Sequence, residues 1–211
     1  MHVLLLNGSP NTKGCTYTAL EIIASRLKEN GVDSTIVQVG RKPIIGCLGC
    51  GACRKTGKCV YGDDGVNAAR DLLEQSDGMI VGSAVHYASA SGAITSFLDR
   101  MFFSRPNASL RMKFGACVVS CRRGGASSTF DQLNKYFTIS QMPVVSSCYW
   151  NMVHGFTPKD VLADREGVST MQTLADNMAY LIKMKHAFNE PLPELPRHYT
   201  TNFVREDLYE D

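Results

Sequence analysis

Four cysteines stand in one run, Gly46-Cys47-Leu48-Gly49-Cys50-Gly51-Ala52-Cys53-Arg54-Lys55-Thr56-Gly57-Lys58-Cys59, with the spacing C-x2-C-x2-C-x5-C. Thiolates are soft metal ligands, three of them at three-residue steps can converge on a single metal centre, and the glycines let the chain wrap around it. Free redox-active thiols and a structural zinc site use the same residue types. Ligand type and spacing leave these three chemistries open. The chain has eight cysteines in all; in a short secreted chain that number would suggest a disulfide framework, but clustering within an intracellular chain points to metal or redox work. Cys117, Cys121 and Cys148 fall in or beside expected strands and read as buried apolar fillers.

Three further stretches carry residue types suited to a flat, phosphorylated ligand. The first, Gly8-Ser9-Pro10-Asn11-Thr12-Lys13-Gly14-Cys15-Thr16-Tyr17-Thr18, is rich in hydroxyls and glycine and opens a helix. Backbone N–H groups at a helix N-terminus, joined by Ser9, Asn11 and Thr16 as donors, make a site for a phosphate dianion. The stretch is neither G-x-x-x-x-G-K-[ST] nor G-x-G-x-x-G, which disfavours a nucleoside triphosphate and a dinucleotide pyrophosphate. A single terminal phosphate remains, as in FMN, with Lys13, Gly14, Cys15 and Tyr17 in the same turn; a capped turn without ligand is the plain alternative. The second stretch, Gly82-Ser83-Ala84-Val85-His86-Tyr87-Ala88-Ser89-Ala90-Ser91-Gly92, offers small residues on which a ring system can lie, with Tyr87 packing against it and amides reaching its polar edge. His86 reads either as a proton donor or as an ordinary hydrogen-bonding residue. In the third, Ser120-Cys121-Arg122-Arg123-Gly124-Gly125, two glycines permit close backbone approach. Arg122 or Arg123 can favour a reduced, anionic flavin or bind a pyridine-nucleotide phosphate, and a solvated pair is the plain alternative.

The elements that must position these loops follow from periodicity. Val3 to Leu6 is a short apolar run of the kind that forms a buried parallel strand. Leu20, Ile23, Ala24 and Leu27 recur at helical steps between Thr16 and Asn30, with Gly31 placed as a C-terminal stop. Strand 32–39 follows, then a helix from Asp63 to Gln75, a strand from Met79 to Ser83, a helix from Ala93 to Phe103, and a strand from Gly115 to Ser120. A helix from Ser128 to Phe137 leads to a fifth strand, Pro143 to Ser147, and a last helix spans Asp164 to His186. Such alternation gives right-handed βαβ units: a doubly wound α/β fold of one domain, with ligands held outside the carboxyl ends of the strands. The 211 residues suffice for that single core. Beyond residue 187 the proline-rich stretch 188–211 reads as an extended tail.

Composition excludes other classes. Twenty-two Lys and Arg against 20 Asp and Glu leave a charge of +2 and no basic block, so neither nucleic acid nor a membrane surface is an expected partner. The N-terminus lacks the basic n-region of a signal peptide, and no run approaches the roughly 18 apolar residues of a membrane span. A cytoplasmic location is expected.

The stretch Gly8-Ser9-Pro10 through Gly14 and Thr16, the stretch Gly82 to Tyr87 followed by Ser91-Gly92 and Asp99-Arg100, and the run Tyr149-Trp150-Asn151-Met152-Val153-His154-Gly155 together resemble the NADPH-dependent FMN reductase and iron–sulfur flavoprotein family. The resemblance spans residues 1 to 187. It implies a flavodoxin-like parallel sheet of five strands in the order 2-1-3-4-5. FMN would be held by Ser9, Asn11, Lys13, Gly14, Cys15, Thr16 and Tyr17, by Ala84, Val85, His86, Tyr87 and Ser89, and by Ser120, Arg122, Arg123, Gly124 and Gly125. It implies reduction by NADH or NADPH, homodimers or homotetramers, and a [4Fe–4S] cluster on Cys47, Cys50, Cys53 and Cys59. This chain departs from the family in having Ala84 in place of proline, His86 in place of an aromatic residue and Cys15 in place of asparagine. A flavin enzyme of this kind needs no catalytic triad, and no side chain is assigned a catalytic role. The acceptor would be a quinone, a flavin, an azo or nitro compound, or a redox protein. The rival readings are an electron carrier built on the cluster and a binding module without redox activity.

Overall fold

Val3, Leu4, Leu5 and Leu6 are all fully buried, because the strand that carries them is covered on both faces. The computed structural model describes residues 1–61, 64–104, 109–188, 190–197 and 199. Strand β1 (His2–Asn7) leads to α1 (Cys15–Glu29) and β2 (Asp33–Gln38); a short α2 (Cys53–Thr56) precedes α3 (Val66–Gln75). Strand β3 (Gly78–His86) folds back through β4 (Ser89–Ala90) into α4 (Gly92–Phe103), followed by β5 (Phe114–Cys121), α5 (Ala126–Ile139), β6 (Met152–His154), α6 (Pro158–Ala163) and α7 (Arg165–Ala187). The order across the sheet is β2-β1-β3-β5-β6, with β4 paired antiparallel to β3 at the edge of that path. All neighbours on the main path are parallel, so the expected order 2-1-3-4-5 holds for the five long-range strands.

Strand alternation sends Val3 and Leu5 to one face, against Leu20, Ile23 and Leu27 of α1 and Met171, Leu174 and Met178 of α7. Leu4 and Leu6 face the other way, into a layer with Leu73 of α3, Ile94, Phe97 and Leu98 of α4, and Leu133 and Phe137 of α5. Arg26 of α1 donates to Asp176 of α7 at 2.7 Å, fixing the two helices of the first layer relative to each other.

The fifth strand lies elsewhere than expected. Segment 143–147 makes a single bridge, Gly115 to Val144, with Gly115 N donating to Pro143 O at 2.9 Å and Val145 N to Gly115 O at 2.8 Å. The ladder resumes at Met152–His154, paired with Val119, Ser120 and Cys121. Between them Ser147 Oγ lies 2.6 Å from Tyr149 O and 2.7 Å from Asn151 Oδ1, so polar side chains stabilise a local turn in competition with the sheet. Helix α6 is absent from the sequence reading although its capping box is present: Thr157 Oγ1 accepts from Asp160 N, Asp160 reaches back, and Pro158 occupies the first turn. The expected start of α3 at Asp63 lies outside the described residues, as does most of the 188–211 tail. No described helix is long and apolar enough to cross a membrane.

Candidate flavin site and cysteine cavity

Strand β1 ends at Asn7, whose side chain is the anchor of the first loop. Its Oδ1 accepts from Ser9 N at 3.2 Å and its Nδ2 donates to Gln38 Oε1 at 2.6 Å, while Gln38 Nε2 donates to Ser9 O at 2.7 Å. Gly8 is required by close approach: its N–H donates to Gly82 O at 2.8 Å, and an added Cβ would stand 2.7 Å from both Gly82 O and Ile94 Cβ. Ser91, the N-cap of α4, donates to Gly8 O at 2.6 Å, tying the first loop to the second.

The loop leads into α1 at Gly14, an N-cap with no side-chain hydrogen bond to the first turn. The first-turn amides of α1 therefore lack the capping oxygen that usually satisfies them, and Gly14, Cys15 and Thr16 border a cavity, an arrangement suited to an anion. Around them Thr16 Oγ1 lies 2.7 Å from Ser120 Oγ, and Ser9, Thr16 and Ser120 are all buried. This corner opens into a cavity of about 590 Å³ at the carboxyl ends of β1, β3 and β5. Of the residues expected to hold FMN, Ser9, Asn11, Lys13, Gly14, Cys15, Thr16, Ala84, Val85, Ser120 and Arg122 line it. Its charged lining consists of Lys13, Arg41 and Arg122, with no described carboxylate among them. Bare helix amides, buried hydroxyls and three cations fit the phosphate of FMN, and the volume is that of an ordinary cofactor site.

Other expected residues stand outside this cavity. Tyr17 follows the helix round to a different groove, where a hydrogen bond with Glu21 raises its phenol above the usual range. His86 and Tyr87 are exposed at the end of β3, and Tyr87 and Ala88 take left-handed φ values of 51° and 57° in the turn to β4. Ser89 Oγ donates to Gln132 Oε1 at 2.8 Å and is committed to α5. Gly125 sits at φ +92 with a notional Cβ 2.7 Å from Ala88 Cα, so it backs the β4 turn, whereas a Cβ on the exposed Gly124 would meet nothing within 4 Å. Arg122 and Arg123 are both exposed, and Arg122 lies over the Phe156 ring at 6.0 Å. Arg41, Phe156, Thr157 and Pro158 also line the cavity, brought there by the end of β2 and the start of α6. Cys15 and Cys121 line it as well; burial raises both thiols above their ordinary pKa, so they are protonated at neutral pH. Cys117 is buried as expected, but Cys148 is exposed in the turn before β6, because segment 143–151 leaves the sheet.

A second, narrow cavity of about 20 Å³ lies near the far end of α4, lined by Cys47, Cys50, Cys53 and Cys59 together. No three described His, Cys, Asp or Glu side chains close on one point as ligands of a single metal ion do; the four thiols surround a space instead. Cys59 is held by Asn67, whose Oδ1 accepts from Cys59 N at 3.0 Å and whose Nδ2 donates to Cys59 O at 2.9 Å. Cys53 Sγ lies 3.9 Å from Phe103 O. Two buried guanidinium groups stand beside the loop. Arg70 donates to Gly57 O, to Ser104 O at 3.4 Å and to Asp71, leaving its buried Nε without a partner among the described residues. Arg100 donates from Nε to Cys59 Sγ at 3.2 Å, and to Asp64, Tyr61 O and Ile45 O. Burial works against its charge, but Asp64 and Cys59 outweigh that and hold it above its usual pKa.

A model of the NADPH-dependent FMN reductase family matches residues 1–157. The chain belongs to this family. This FMN reductase-type protein is similar over 87% of its length, at 29% identity, to 98% of an iron–sulfur flavoprotein of Methanocaldococcus jannaschii. It is 26% identical, again over 87% of its length, to 96% of an iron–sulfur flavoprotein of Methanosarcina thermophila. Among solved structures, RosB with a bound 8-demethyl-8-formylriboflavin-5′-phosphate superposes with a TM-score of 0.68 at 10% identity, covering 100% of this chain and 96% of that one. An archaeal flavodoxin gives 0.56 at 17% identity over 87% of this chain and 99% of that one. The fold is thus flavodoxin-like, and family membership makes the protein an FMN-dependent oxidoreductase.

Proposed function

We propose that the protein takes electrons from NADH or NADPH onto FMN in the α1 cavity, exchanges them with a [4Fe–4S] cluster on Cys47, Cys50, Cys53 and Cys59, and delivers them to a quinone, free flavin, azo or nitro compound, or a redox protein. The observation that carries the cluster is the gathering of four thiols around one space beside two buried cations. A single zinc ion asks four sulfurs to meet on a point, while a four-iron cluster takes one thiolate at each corner and leaves them spread. Cys47 and Cys50 are exposed on a glycine-rich loop, so the narrow cavity can widen without disturbing the core. The two full-length relatives described above are named iron–sulfur flavoproteins.

When bound, FMN accepts hydride and passes single electrons, which is the chemistry the protein itself lacks. In this reading the chain's own residues bind and orient. The first-turn amides of α1, with Ser9, Thr16 and Lys13, fix the phosphate; Ala84 and Val85 give the ring a backbone floor; Arg122 favours an anionic ring.

The test is anaerobic mixing of purified protein with NADH and, separately, NADPH. Bleaching of the flavin bands by either nucleotide, followed by recovery on adding a quinone, is the expected result. Flavin that neither nucleotide reduces would overturn the nicotinamide step.

A further inference from the structure

We infer that Arg100 is the positioning residue of the cysteine centre: its buried guanidinium holds Cys59 and both ends of the cysteine loop in place and raises the centre's affinity for an electron. This rests on the cluster reading above.

Arg100 is 1% exposed on the apolar stripe of α4, flanked by Phe97, Leu98 and Met101. A buried cation there is costly unless every N–H finds a partner. Its partners are spread along the chain: Ile45 O precedes the first cysteine, Cys59 is the last, and Tyr61 O and Asp64 lead out of the loop. One rigid side chain thus fastens both ends of the 47–59 run to the helix. Asp64 supplies the counter-charge, with its side chain 18% exposed.

The choice of sulfur as a partner for Nε is the informative contact. A neutral thiol is a weak acceptor, so a donor 3.2 Å from Cys59 Sγ realises its full strength only when that sulfur is a thiolate. Donors to ligand sulfurs, together with nearby charge, are among the levers that set a cluster's reduction potential. On reduction one electron enters, no bond is made or broken, and the centre becomes one unit more negative. A donor fixed on the ligand sulfur favours the more negative, reduced form and raises the potential. Arg70, bonded to Gly57 O within the same loop, adds a second buried positive charge of the same sign of effect.

The test compares wild type with Arg100→Lys and with Arg100→Gln combined with Asp64→Asn, which removes both charges together. Flavin content and circular dichroism report folding; iron and sulfide content, the rate of iron loss to a chelator, and the midpoint potential from an electron paramagnetic resonance titration with dithionite report the centre. In the double variant, iron loss is expected to be about tenfold faster. Because Asp64 is neutralised as well, the loss read is that of the Nε–H donor to Cys59 Sγ: the reduced-to-oxidised equilibrium is expected to fall about tenfold, a potential lower by about 59 mV for one electron. Lysine keeps the charge but not the fork, so Arg100→Lys is expected to lose iron faster while its potential shifts less. If the double variant does not fold, Arg100→Lys decides through its rate of iron loss. Variants indistinguishable from an iron-loaded wild type would overturn the role of Arg100 alone. A wild type without iron or sulfide after anaerobic reconstitution would overturn the cluster reading and this inference with it.

Discussion

The first-turn amides of α1 carry no side-chain cap, and in the proposed site the hydroxyls beside them would select for a phosphate. Ser9 Oγ accepts from Asn11 N at 3.2 Å, which leaves its own hydrogen free to donate into the cavity. A hydrogen bond to a charged group contributes about 1.5–3 kcal/mol, and removing it by Ser9→Ala should weaken FMN binding by roughly 10- to 150-fold. Ser9→Ala also frees Asn11 N, which can turn to water at the mouth of the cavity, so the lower half of that range is expected. The assay is quenching of flavin fluorescence on titrating apoprotein with FMN and, in parallel, with riboflavin. Riboflavin has no phosphate, so its affinity should be nearly the same for wild type and variant. Equal losses for both ligands, or no loss for FMN, would refute the placement of the phosphate at this loop.

Cys50→Ala should abolish iron and sulfide while leaving FMN bound, since Cys50 lines only the cysteine cavity; metal analysis beside a flavin assay checks both halves. Gly8→Ala would push a methyl group onto Gly82 O and Ile94, and should destabilise the protein by about 1–3 kcal/mol in urea denaturation. Asp77, which accepts from His2 N at 2.9 Å and pairs with His186 at 2.6 Å, has a carboxyl held below its usual pKa despite the opposing effect of burial. A carboxylate with a depressed folded pKa stabilises above its unfolded value and loses that contribution as pH falls through the folded one. Asp77→Asn should therefore cost about 1 kcal/mol at pH 7, and the gap from wild type should shrink below about pH 4, measured by urea melts at several pH values.

What could be read from the sequence divides along physical lines. The apolar run Val3 to Leu6 and the helical stripe of α1 are local patterns, and both elements lie where those patterns put them. The place of the first loop beside the cavity was legible because it follows a buried parallel strand, and in such a sheet the carboxyl ends of the strands border the ligand cleft. Segment 143–147 carries the same apolar signal as a strand, yet the polar side chains of Ser147 and Asn151 draw the chain off the sheet, a competition between local and long-range hydrogen bonds that periodicity does not register. Tyr87 reads as a ring contact and His86 as a proton donor or a hydrogen-bonding residue; both are exposed at the end of β3, where Tyr87 and Ala88 turn left-handed. Arg41 and Phe156 line the cavity because the ends of β2 and β6 border it in space, which their residue types do not announce. Arg100 did leave a trace, a charged residue on the buried stripe of α4; Asp64 and Arg70, which complete the clamp, come from beyond the cysteine run.

The most direct measurement is an ultraviolet–visible spectrum of freshly purified, anaerobically handled protein, with FMN, iron and acid-labile sulfide assayed on the same sample. Flavin bands over a broad charge-transfer shoulder are expected, with iron and sulfide in the equal amounts of a [4Fe–4S] cluster. Flavin bands alone, with neither iron nor sulfide, would contradict the cluster reading and leave the four cysteines as thiols or a zinc site in a plain FMN reductase.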